Sequence, residues 1–217
     1  NSSKMDRFPL LARRILIEGP NDSIVNFAPL RESIEKYMAD NSLLGSIYFE
    51  YLPTGTSIRV DGDSELVAAS LMKIPVVMDL YKAHELGRIN IDDQITLKEE
   101  WLDSKYGDLY KKGAGYKLTY REAAKLTLSD SDNTAYKALL YSTSTLLNSD
   151  ENSIISSDVT FSRDDSREII ISARSYSSFL KCLYFGCYLN YDHSQEILGF
   201  LSESGFNNRL RAGIPSN

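Results

Sequence analysis

Residues 68–75 have the sequence Ala-Ala-Ser-Leu-Met-Lys-Ile-Pro, which contains the pattern Ser70-x-x-Lys73. An apolar stripe at helical spacing runs through this stretch and beyond it, so the sequence predicts a helix over 68–85, with Pro75 as a local kink. Positions i and i+3 share one face of a helix, which allows the hydroxyl of Ser70 to reach the amine of Lys73. A lysine with a lowered pKa can remove the proton of a serine hydroxyl and make it a nucleophile. The pattern therefore makes Ser70 the candidate nucleophile and Lys73 its candidate base.

A second motif makes this hypothesis more specific. The Ser-x-x-Lys pattern alone carries little weight, because it recurs at Ser33 and at Ser178 in stretches that fit exposed helical faces. The tripeptide Ser131-Asp132-Asn133 is much rarer by chance, and it opens another predicted helix. A serine there can relay a proton, an aspartate can cap the helix, and an asparagine can hydrogen-bond a substrate amide. Without the first motif, the tripeptide is better explained as a simple helix N-cap.

The two motifs together resemble the first two motifs of class A β-lactamases and the related penicillin-binding proteins. The segments 117–124 and 211–215 are also similar to family segments, and the resemblance covers residues 44–217. It implies a mixed α/β fold of the α+β type, in which a helical lobe packs on an antiparallel sheet. The candidate nucleophile is expected at the junction of the two.

The resemblance also implies a role for each residue of the site. Ser70 is expected to attack the substrate carbonyl, Lys73 to accept its proton, and Ser131 to pass a proton to the leaving nitrogen. Asn133 is expected to hold the amide of the substrate. Tyr106, an aromatic residue in a predicted loop, is expected to wall the cleft, and Asp132 is expected to cap the helix or buttress the loop. The resemblance implies no metal and no organic cofactor.

Two departures from the family pattern change what we expect of this chain. The third motif, Lys-Thr/Ser-Gly on a later strand, is absent. We therefore expect a C-terminally incomplete fold that lacks the last strands, either as a fragment or with a second polypeptide supplying them. The Glu-x-x-Leu-Asn motif of the deacylating glutamate is absent too, although Glu151 and Glu168 lie in the corresponding region. An acyl-enzyme without that glutamate would form and clear slowly.

These features predict a serine hydrolase that is acylated at Ser70 by β-lactams or D-Ala-D-Ala-like peptides and then deacylates slowly. Three alternatives stay open: an efficient class A-type β-lactamase, an esterase of the same fold, and a non-catalytic binding or scaffold relative. The resemblance further implies an extracytoplasmic location, either periplasmic or secreted. A Lys-Thr/Ser-Gly motif in a continuation of the reading frame would favour an enzyme over a binding relative.

Composition narrows the class of partner. The chain has 217 residues and a formal net charge of -6, with no dense basic cluster, so nucleic acid is a poor partner. No apolar run approaches the roughly 20 residues that a membrane-spanning helix needs.

The two cysteines, Cys182 and Cys187, are five residues apart on one predicted helix and point to different faces. We therefore expect two buried free thiols.

The remaining periodicities predict the order of elements. Residues 1–28 are assigned to an N-terminal segment of unclear structure, and residues 29–217 to the hydrolase domain. A capping box at Thr119 predicts the start of a helix. The other predicted elements are a hairpin of strands at 44–51 and 57–60, and helices at 29–40, 131–141, 172–183 and 193–201. Residues 142–170 are predicted to be irregular, with no strand after Ser172.

Overall fold

The computed structural model describes residues 26–148, 151, 162–164, 166, 168–206, 208 and 210–213. Within these residues the α-helices are α1 (Ala28–Asp40), α2 (Lys73–Glu85), α3 (Tyr120–Ser129), α4 (Asn133–Thr143), α5 (Ala173–Phe185) and α6 (Tyr191–Ser202). The strands are β1 (Ile47–Tyr51), β2 (Thr56–Val60), β3 (Glu65–Val67), β4 (Gln94–Thr96), β5 (Lys117–Thr119), β6 (Ser162–Arg163) and β7 (Ile169–Ser172). Short 3-10 helices lie at Ala69–Met72, Glu99–Trp101, Leu109–Lys112 and Leu210–Gly213. This is the mixed fold of helices and antiparallel strands that the sequence predicts.

The helical lobe is built around α2, which contacts α3, α4 and α6. Met78, Leu80 and Tyr81 of α2 are each 0% exposed. Removing side chains of this size from water stabilises the fold by roughly 1.5–3 kcal/mol each, before any loss of side-chain entropy is counted. The start of α2 is therefore a rigid platform, and Lys73 is its first residue.

The strands form small antiparallel sheets around this lobe. β1 pairs with β2 from Ile47 opposite Val60 to Tyr51 opposite Thr56. α1 contacts β2, and α5 contacts β1. β7 lies between β3 and β6, and β4 pairs with β5. Among the described strands, β1 has β2 as its single partner, so its second edge carries no strand in this part of the chain.

A smaller apolar cluster lies beneath the turn that carries Ser70. Ala68, Met72 and Ile171 pack there with Tyr176 and Phe179 of α5. This cluster joins the end of β3, the middle of β7 and the first turns of α5. Strands β3 and β7 and helix α5 therefore meet directly beneath the Ser70-x-x-Lys73 motif.

The helix predicted over 68–85 is interrupted at its start. Residues Ala69–Met72 form a 3-10 helix, and the α-helix proper begins at Lys73. Pro75 consequently lies in the first turn of α2, where a backbone N–H has no partner within the helix. The change from 3-10 helix to α-helix therefore lies before this proline, between Met72 and Lys73.

The prediction of an irregular stretch up to residue 170 is also wrong in part, because Ser162–Arg163 and Ile169–Ser172 are strands. The sequence likewise gave no sign of β3, β4 and β5. Each of those strands has three residues. Such short strands are below the length at which an alternation of apolar and polar residues can be recognised.

The two cysteines form a disulfide, whereas the sequence predicts free thiols. Helix α5 ends at Phe185, and Gly186 follows with a left-handed φ of 59°. This turn brings Cys187 back toward Cys182, with their Cα atoms 5.1 Å apart and a disulfide between them. The expectation of two free thiols is therefore wrong, because it placed both residues on one uninterrupted helix. The N-terminal residues 1–25 lie outside the described residues, and the boundary between segments 1–28 and 29–217 stays a prediction.

Candidate active site

Ser70 lies in a turn that is held from two sides. The backbone N–H of Ala68 donates to the carbonyl of Ile169 in β7 at 2.8 Å, and the hydroxyl of Tyr176 donates to the carbonyl of Leu71 at 2.8 Å. Ala69, just before the serine, has a left-handed φ of 45°, which is unusual for a residue with a Cβ. The serine itself is exposed. The local fold therefore presents a hydroxyl at the surface on a backbone that is fixed beneath it.

Lys73 points from the first position of α2 into the interior and is 4% exposed. Its Nζ donates to the backbone carbonyl of Ser131, to the Oγ of Ser131 at 2.9 Å and to the Oδ1 of Asn133 at 2.8 Å. The ring of Tyr136 lies 5.8 Å from the same nitrogen. An ammonium group has three N–H donors, and these three oxygens accept all of them.

Ser131 connects the lysine to the exposed serine. Its Oγ donates to the Oγ of Ser70 at 3.3 Å while accepting from Lys73. Its backbone has a left-handed φ of 56°. A non-glycine residue in this region stores about 1–3 kcal/mol of strain, which the surrounding structure must offset. Ser70 and Lys73 therefore form one chain of hydrogen bonds with Ser131, which lies 61 positions after Ser70 in the sequence.

Asp132 is 1% exposed and holds the motif in place. One carboxylate oxygen accepts from the N–H of Ala135 at 2.8 Å, which caps α4, and the other accepts from the N–H of Leu109 at 2.9 Å. Gly107 lies against this carboxylate so closely that a Cβ there would be 2.0 Å from Oδ2 of Asp132. The structural role expected for Asp132 is consistent with these contacts.

Asn133 and Tyr106 are neighbours in space, because the backbone N–H of Asn133 donates to the carbonyl of Tyr106 at 3.0 Å. The side chain of Tyr106 is 53% exposed and its ring lies 6.1 Å from that of Phe206. The Nδ2 of Asn133 faces Oδ1 of Asp103 at 3.4 Å. The two residues expected to contact substrate are therefore neighbours, joined by this backbone hydrogen bond.

Burial lowers the pKa of the Lys73 amine, because the charged form loses its hydration. The negative charges of Asp132 and Asp103 act in the opposite direction and favour the ammonium form. The net effect is a pKa below the ordinary lysine value. A lysine in this position can lose its proton more readily than a lysine in water, which is the property that a base requires.

This geometry can support acyl transfer without a metal ion. A neutral Lys73 can accept a proton from Ser70 directly or through Ser131, and Ser131 can return a proton to a leaving group. Among the described residues, no three His, Cys, Asp or Glu side chains converge as metal ligands would. The described helices also include none that is long and apolar enough to cross a membrane.

The two glutamates considered from the sequence lie elsewhere. Glu151 accepts from both guanidinium nitrogens of Arg88, at 2.6 and 2.8 Å. Arg88 follows the C-terminal end of α2, a helix of 13 residues and therefore about 20 Å long, whereas Ser70 precedes its N-terminal end. Glu168 is exposed, immediately before β7, and its backbone N–H donates to Asp164 at 2.8 Å.

The other two Ser-x-x-Lys patterns do not form comparable sites. Ser33 on α1 donates to the carbonyl of Pro29, and Lys36 pairs with Asp40 at the surface. Lys181 on α5 pairs with Glu50 of β1. The Ser33 pattern therefore lies on an exposed helical face, as its sequence suggests, whereas Lys181 forms a partly buried ion pair with Glu50.

Sequence reasoning missed Asp103 and Lys137, which adjoin the site. Their side chains form an ion pair at 2.8 Å. Lys137 follows Asn133 by four positions, so the two share one face of α4, and that spacing was a signal available in the sequence. Asp103 lies in a long connection without periodicity, and no sequence pattern placed it beside α4.

Comparison with known proteins identifies the family. The model of the β-lactamase enzyme family matches residues 29–217. The chain therefore belongs to the β-lactamase enzyme family and is a serine hydrolase of that fold. A search of curated proteins found none that matches the sequence.

Solved structures show the same fold. A mutant of PBP-A in an acyl-enzyme complex with penicillin G has a TM-score of 0.78 at 21% identity, over 87% of this chain and 74% of that chain. A β-lactamase from Sphaerobacter thermophilus DSM 20745 has a TM-score of 0.75 at 23% identity, over 89% and 76%. An ancestral class A β-lactamase has a TM-score of 0.72 at 24% identity, over 87% and 76%. The chain thus spans about three quarters of the length of each of these proteins.

Proposed function

We propose that this protein is a penicillin-recognising acyl-transfer enzyme in which β-lactams or D-Ala-D-Ala-like peptides acylate Ser70, with slow release of the product. The observation that carries the proposal is the hydrogen-bond chain from buried Lys73 through Ser131 to the exposed hydroxyl of Ser70. A structural ion or hydrogen-bond network has no need to end on an exposed serine. The penicillin G complex of PBP-A supports the choice of β-lactams as probes.

In the proposed reaction, Ser70 Oγ attacks the carbonyl carbon of the lactam or peptide and its proton passes to Lys73. The carbon–nitrogen bond then breaks, and the nitrogen takes a proton through Ser131. The product is an ester at Ser70, which water hydrolyses to free the serine. Asn133 holds the amide of the substrate, and Tyr106 forms one wall of the cleft. The oxyanion needs preorganised N–H donors, and the backbone N–H of Ser70 is proposed as one of them.

Slow deacylation is proposed from the placement of the described carboxylates. Glu151 is occupied by Arg88 at the far end of α2, and the two acidic residues next to the site are already engaged. Asp132 caps α4, and Asp103 pairs with Lys137. Glu168 is the nearer of the two glutamates, because Ile169, its neighbour, accepts a hydrogen bond from Ala68. Three of these four carboxylates are therefore engaged by other groups, and Glu168 is the one whose contribution the turnover experiment tests.

Labelling with a fluorescent penicillin tests the acylation. We expect stoichiometric labelling of the protein on a denaturing gel and its loss in Ser70→Ala. Ser33→Ala and Ser178→Ala are matched controls, because each removes a serine from the same sequence pattern and should label normally. Labelling that persists in Ser70→Ala would rule out Ser70 as the nucleophile.

The time course of β-lactam opening tests the slow release. A burst equal to the enzyme concentration should precede a much slower steady state, because the ester accumulates. Rapid turnover that disappears in Glu168→Gln but not in Glu151→Gln would show that Glu168 deacylates the enzyme. That result would favour an efficient β-lactamase over the slow enzyme proposed here.

We also propose that a further strand-bearing polypeptide segment docks along the free edge of β1. An apolar cavity of about 440 Å³ opens between α1 and this strand, lined by residues that include Ile34, Tyr37, Met38, Leu43, Leu44 and Ile47. α1 itself has no buried residue. An unpaired edge beside an apolar surface is a site for strand addition.

Complementation tests the docking of this segment. Residues 1–217 are expressed alone and together with a separately supplied polypeptide that carries candidate strands. Added strands should protect the amides of β1 from hydrogen exchange and raise the rate of penicillin labelling. Equal labelling and equal exchange in both preparations would argue against it.

An extracytoplasmic location is the remaining part of the proposal. The disulfide between Cys182 and Cys187 supports it, because such bonds persist mainly in oxidising compartments. Fractionation of the native host, with thiol alkylation before lysis, is the test. A reduced protein in the cytoplasmic fraction would contradict it.

A further inference from the structure

The carboxylate of Asp103 lies beside the site and is held from several directions. Its Oδ1 accepts from the backbone N–H of Lys105 at 2.9 Å, and its Oδ2 accepts from Nζ of Lys137 at 2.8 Å. Its own backbone N–H donates to Oγ1 of Thr134 at 2.9 Å. The side chain is only 13% exposed. Asp103 is therefore fixed against the first turn of α4 and is not a mobile surface acid.

The contact of this carboxylate with Asn133 determines which way the side-chain amide of Asn133 points. A carboxylate accepts hydrogen bonds only, and the ammonium group of Lys73 donates only. The amide of Asn133 lies between them, with Nδ2 facing Asp103 at 3.4 Å and Oδ1 facing Lys73 at 2.8 Å. The two charged groups thus demand the same orientation of the amide. The second hydrogen of Nδ2 stays available for a carbonyl of the substrate.

Asp103 also adds negative charge near Lys73. Charged or titratable groups that face Lys73 among the described residues are Asp132 and Tyr136 from α4 and Asp103 from the connection before it. Lys137 balances Asp103, and it is the largest cause that lowers the pKa of that carboxyl to about 2. The carboxylate is therefore ionised throughout the pH range in which a lysine base titrates.

We propose that Asp103 and Lys137 are a positioning pair, which orients the amide of Asn133 and sets the charge that Lys73 experiences. The inference rests on the proposed acylation of Ser70 for its kinetic readout, but the charge effect is measurable in the protein without substrate. An ion pair that only stabilises the fold would have no directional effect on Lys73.

Removing the charge of Asp103 and removing the charge of Lys137 should shift the pKa of Lys73 in opposite directions. Asp103→Asn keeps a group that can accept from Asn133 but removes a negative charge, so the pKa of Lys73 falls further. Lys137→Gln leaves Asp103 without its counter-charge and removes a nearby cation, so the pKa of Lys73 rises. The shift should be larger for Asp103→Asn than for Lys137→Gln, because the charge of Asp103 acts on Lys73 directly and Lys137 acts through Asp103. The double variant should lie between the two.

The test combines two measurements on the full chain. The titration of Lys73 is followed by the NMR signal of its ¹³C-labelled ε-carbon, and the rate constant of acylation by penicillin G is measured from pH 5 to 10. The acid limb of that rate should move to lower pH in Asp103→Asn and to higher pH in Lys137→Gln. Lys137→Arg should restore the wild-type profile. Lys36→Gln and Asp40→Asn remove the same charges from an exposed pair on α1 and should move neither curve.

A third variant separates orientation from charge. Asp103→Ala removes the partner of the Asn133 amide, and the penicillin concentration for half-maximal acylation should rise roughly fivefold to tenfold. Asp103→Asn should leave that concentration within about twofold of wild type, because it keeps an acceptor. Equal effects of the two variants would overturn the orientation part.

The remaining outcomes also separate the two hypotheses. If Lys73 titrates at the same pH in every variant, the pair is structural and the inference is wrong. If both single variants move the titration in the same direction, a general disturbance of the fold explains the result. If the titration moves in opposite directions but no adduct forms at Ser70, the positioning pair stands and the proposed function fails.

Discussion

Gly107 lies against the carboxylate that caps α4, and its φ of 83° is left-handed. Gly107→Ala would place a Cβ 2.0 Å from Oδ2 of Asp132, in a backbone conformation that side chains rarely adopt. We expect a loss of more than about 2 kcal/mol in unfolding free energy, because both strain and displacement of a buried cap are involved. We also expect slower acylation, because Tyr106 next to it accepts from Asn133. Urea unfolding and penicillin labelling measure the two effects.

Gly113→Ala is the matched control for this substitution. Gly113 has a similar φ of 76°, but nothing lies within 4 Å of a Cβ built there. The control should lose about 1–3 kcal/mol from backbone strain alone, because its φ of 76° with a ψ of 172° is a conformation that essentially only glycine adopts. Its loss should be smaller than that of Gly107→Ala, and it should label at the wild-type rate. Equal losses in the two variants would show that the contact with Asp132 is unimportant.

The buried lysine predicts how acylation depends on pH. The protonated amine cannot accept a proton, so the rate of acylation should fall as the pH falls through the pKa of Lys73. Because burial lowers that pKa, the acid limb should lie below the ordinary lysine value of about 10.4. A stopped-flow profile of acylation against pH measures it. An acid limb at the ordinary value would mean that the lysine is not desolvated or is not the base.

At the scale of elements, the disulfide closes the turn after α5. Breaking it with Cys187→Ser should lower the unfolding free energy by about 2 kcal/mol, the entropic value for a loop this short. Tyr188, the next residue, is buried, and its hydroxyl donates to the carbonyl of Glu151 at 2.7 Å. Greater mobility of the turn in the variant should therefore weaken this hydrogen bond as well. Thermal unfolding with and without reductant measures the loss. Unchanged stability of the wild type on reduction would contradict this account.

The element scale also shows what the sequence could and could not predict. The capping box at Thr119 and the apolar stripe of α2 were found because each depends on residues close in sequence. The disulfide was missed, because both cysteines were placed on one helix although the chain turns back at Gly186 after α5. β7 was missed because its four residues, Ile169–Ser172, follow a polar stretch and lack alternation.

The residues of the candidate site also differ in whether the sequence alone could predict them. Ser70 and Lys73 lie three residues apart, and Ser131-Asp132-Asn133 are contiguous, so both motifs could be found in the sequence. Whether the two motifs meet depends on the packing of α2 against α4, and the resemblance to a family supplied that expectation. Asp103 reaches Asn133 through an irregular connection, and no local pattern in the sequence encodes such a contact.

Across the whole molecule, the helical lobe is well packed, whereas the sheet of β1 and β2 has an unpaired edge among the described residues. The lobe buries a large core around α2, whereas β1 has one partner strand and an apolar cavity beside it. The proposed site lies where α2 and α4 begin, within the well-packed lobe. We therefore expect the lobe to exchange its amide hydrogens more slowly than β1 and β2. Hydrogen exchange followed by mass spectrometry measures this, and equal protection of both parts would contradict it.

The central claim is that Ser70 is the residue that penicillin acylates. The most direct measurement is peptide mapping of the protein after a short exposure to penicillin G, quenched in acid to preserve the ester. We expect one adduct, on the peptide that contains Ser70, and fragmentation that places it on that serine. An adduct on any other residue, or no adduct on a protein whose Lys73 titrates as a buried amine, would contradict it.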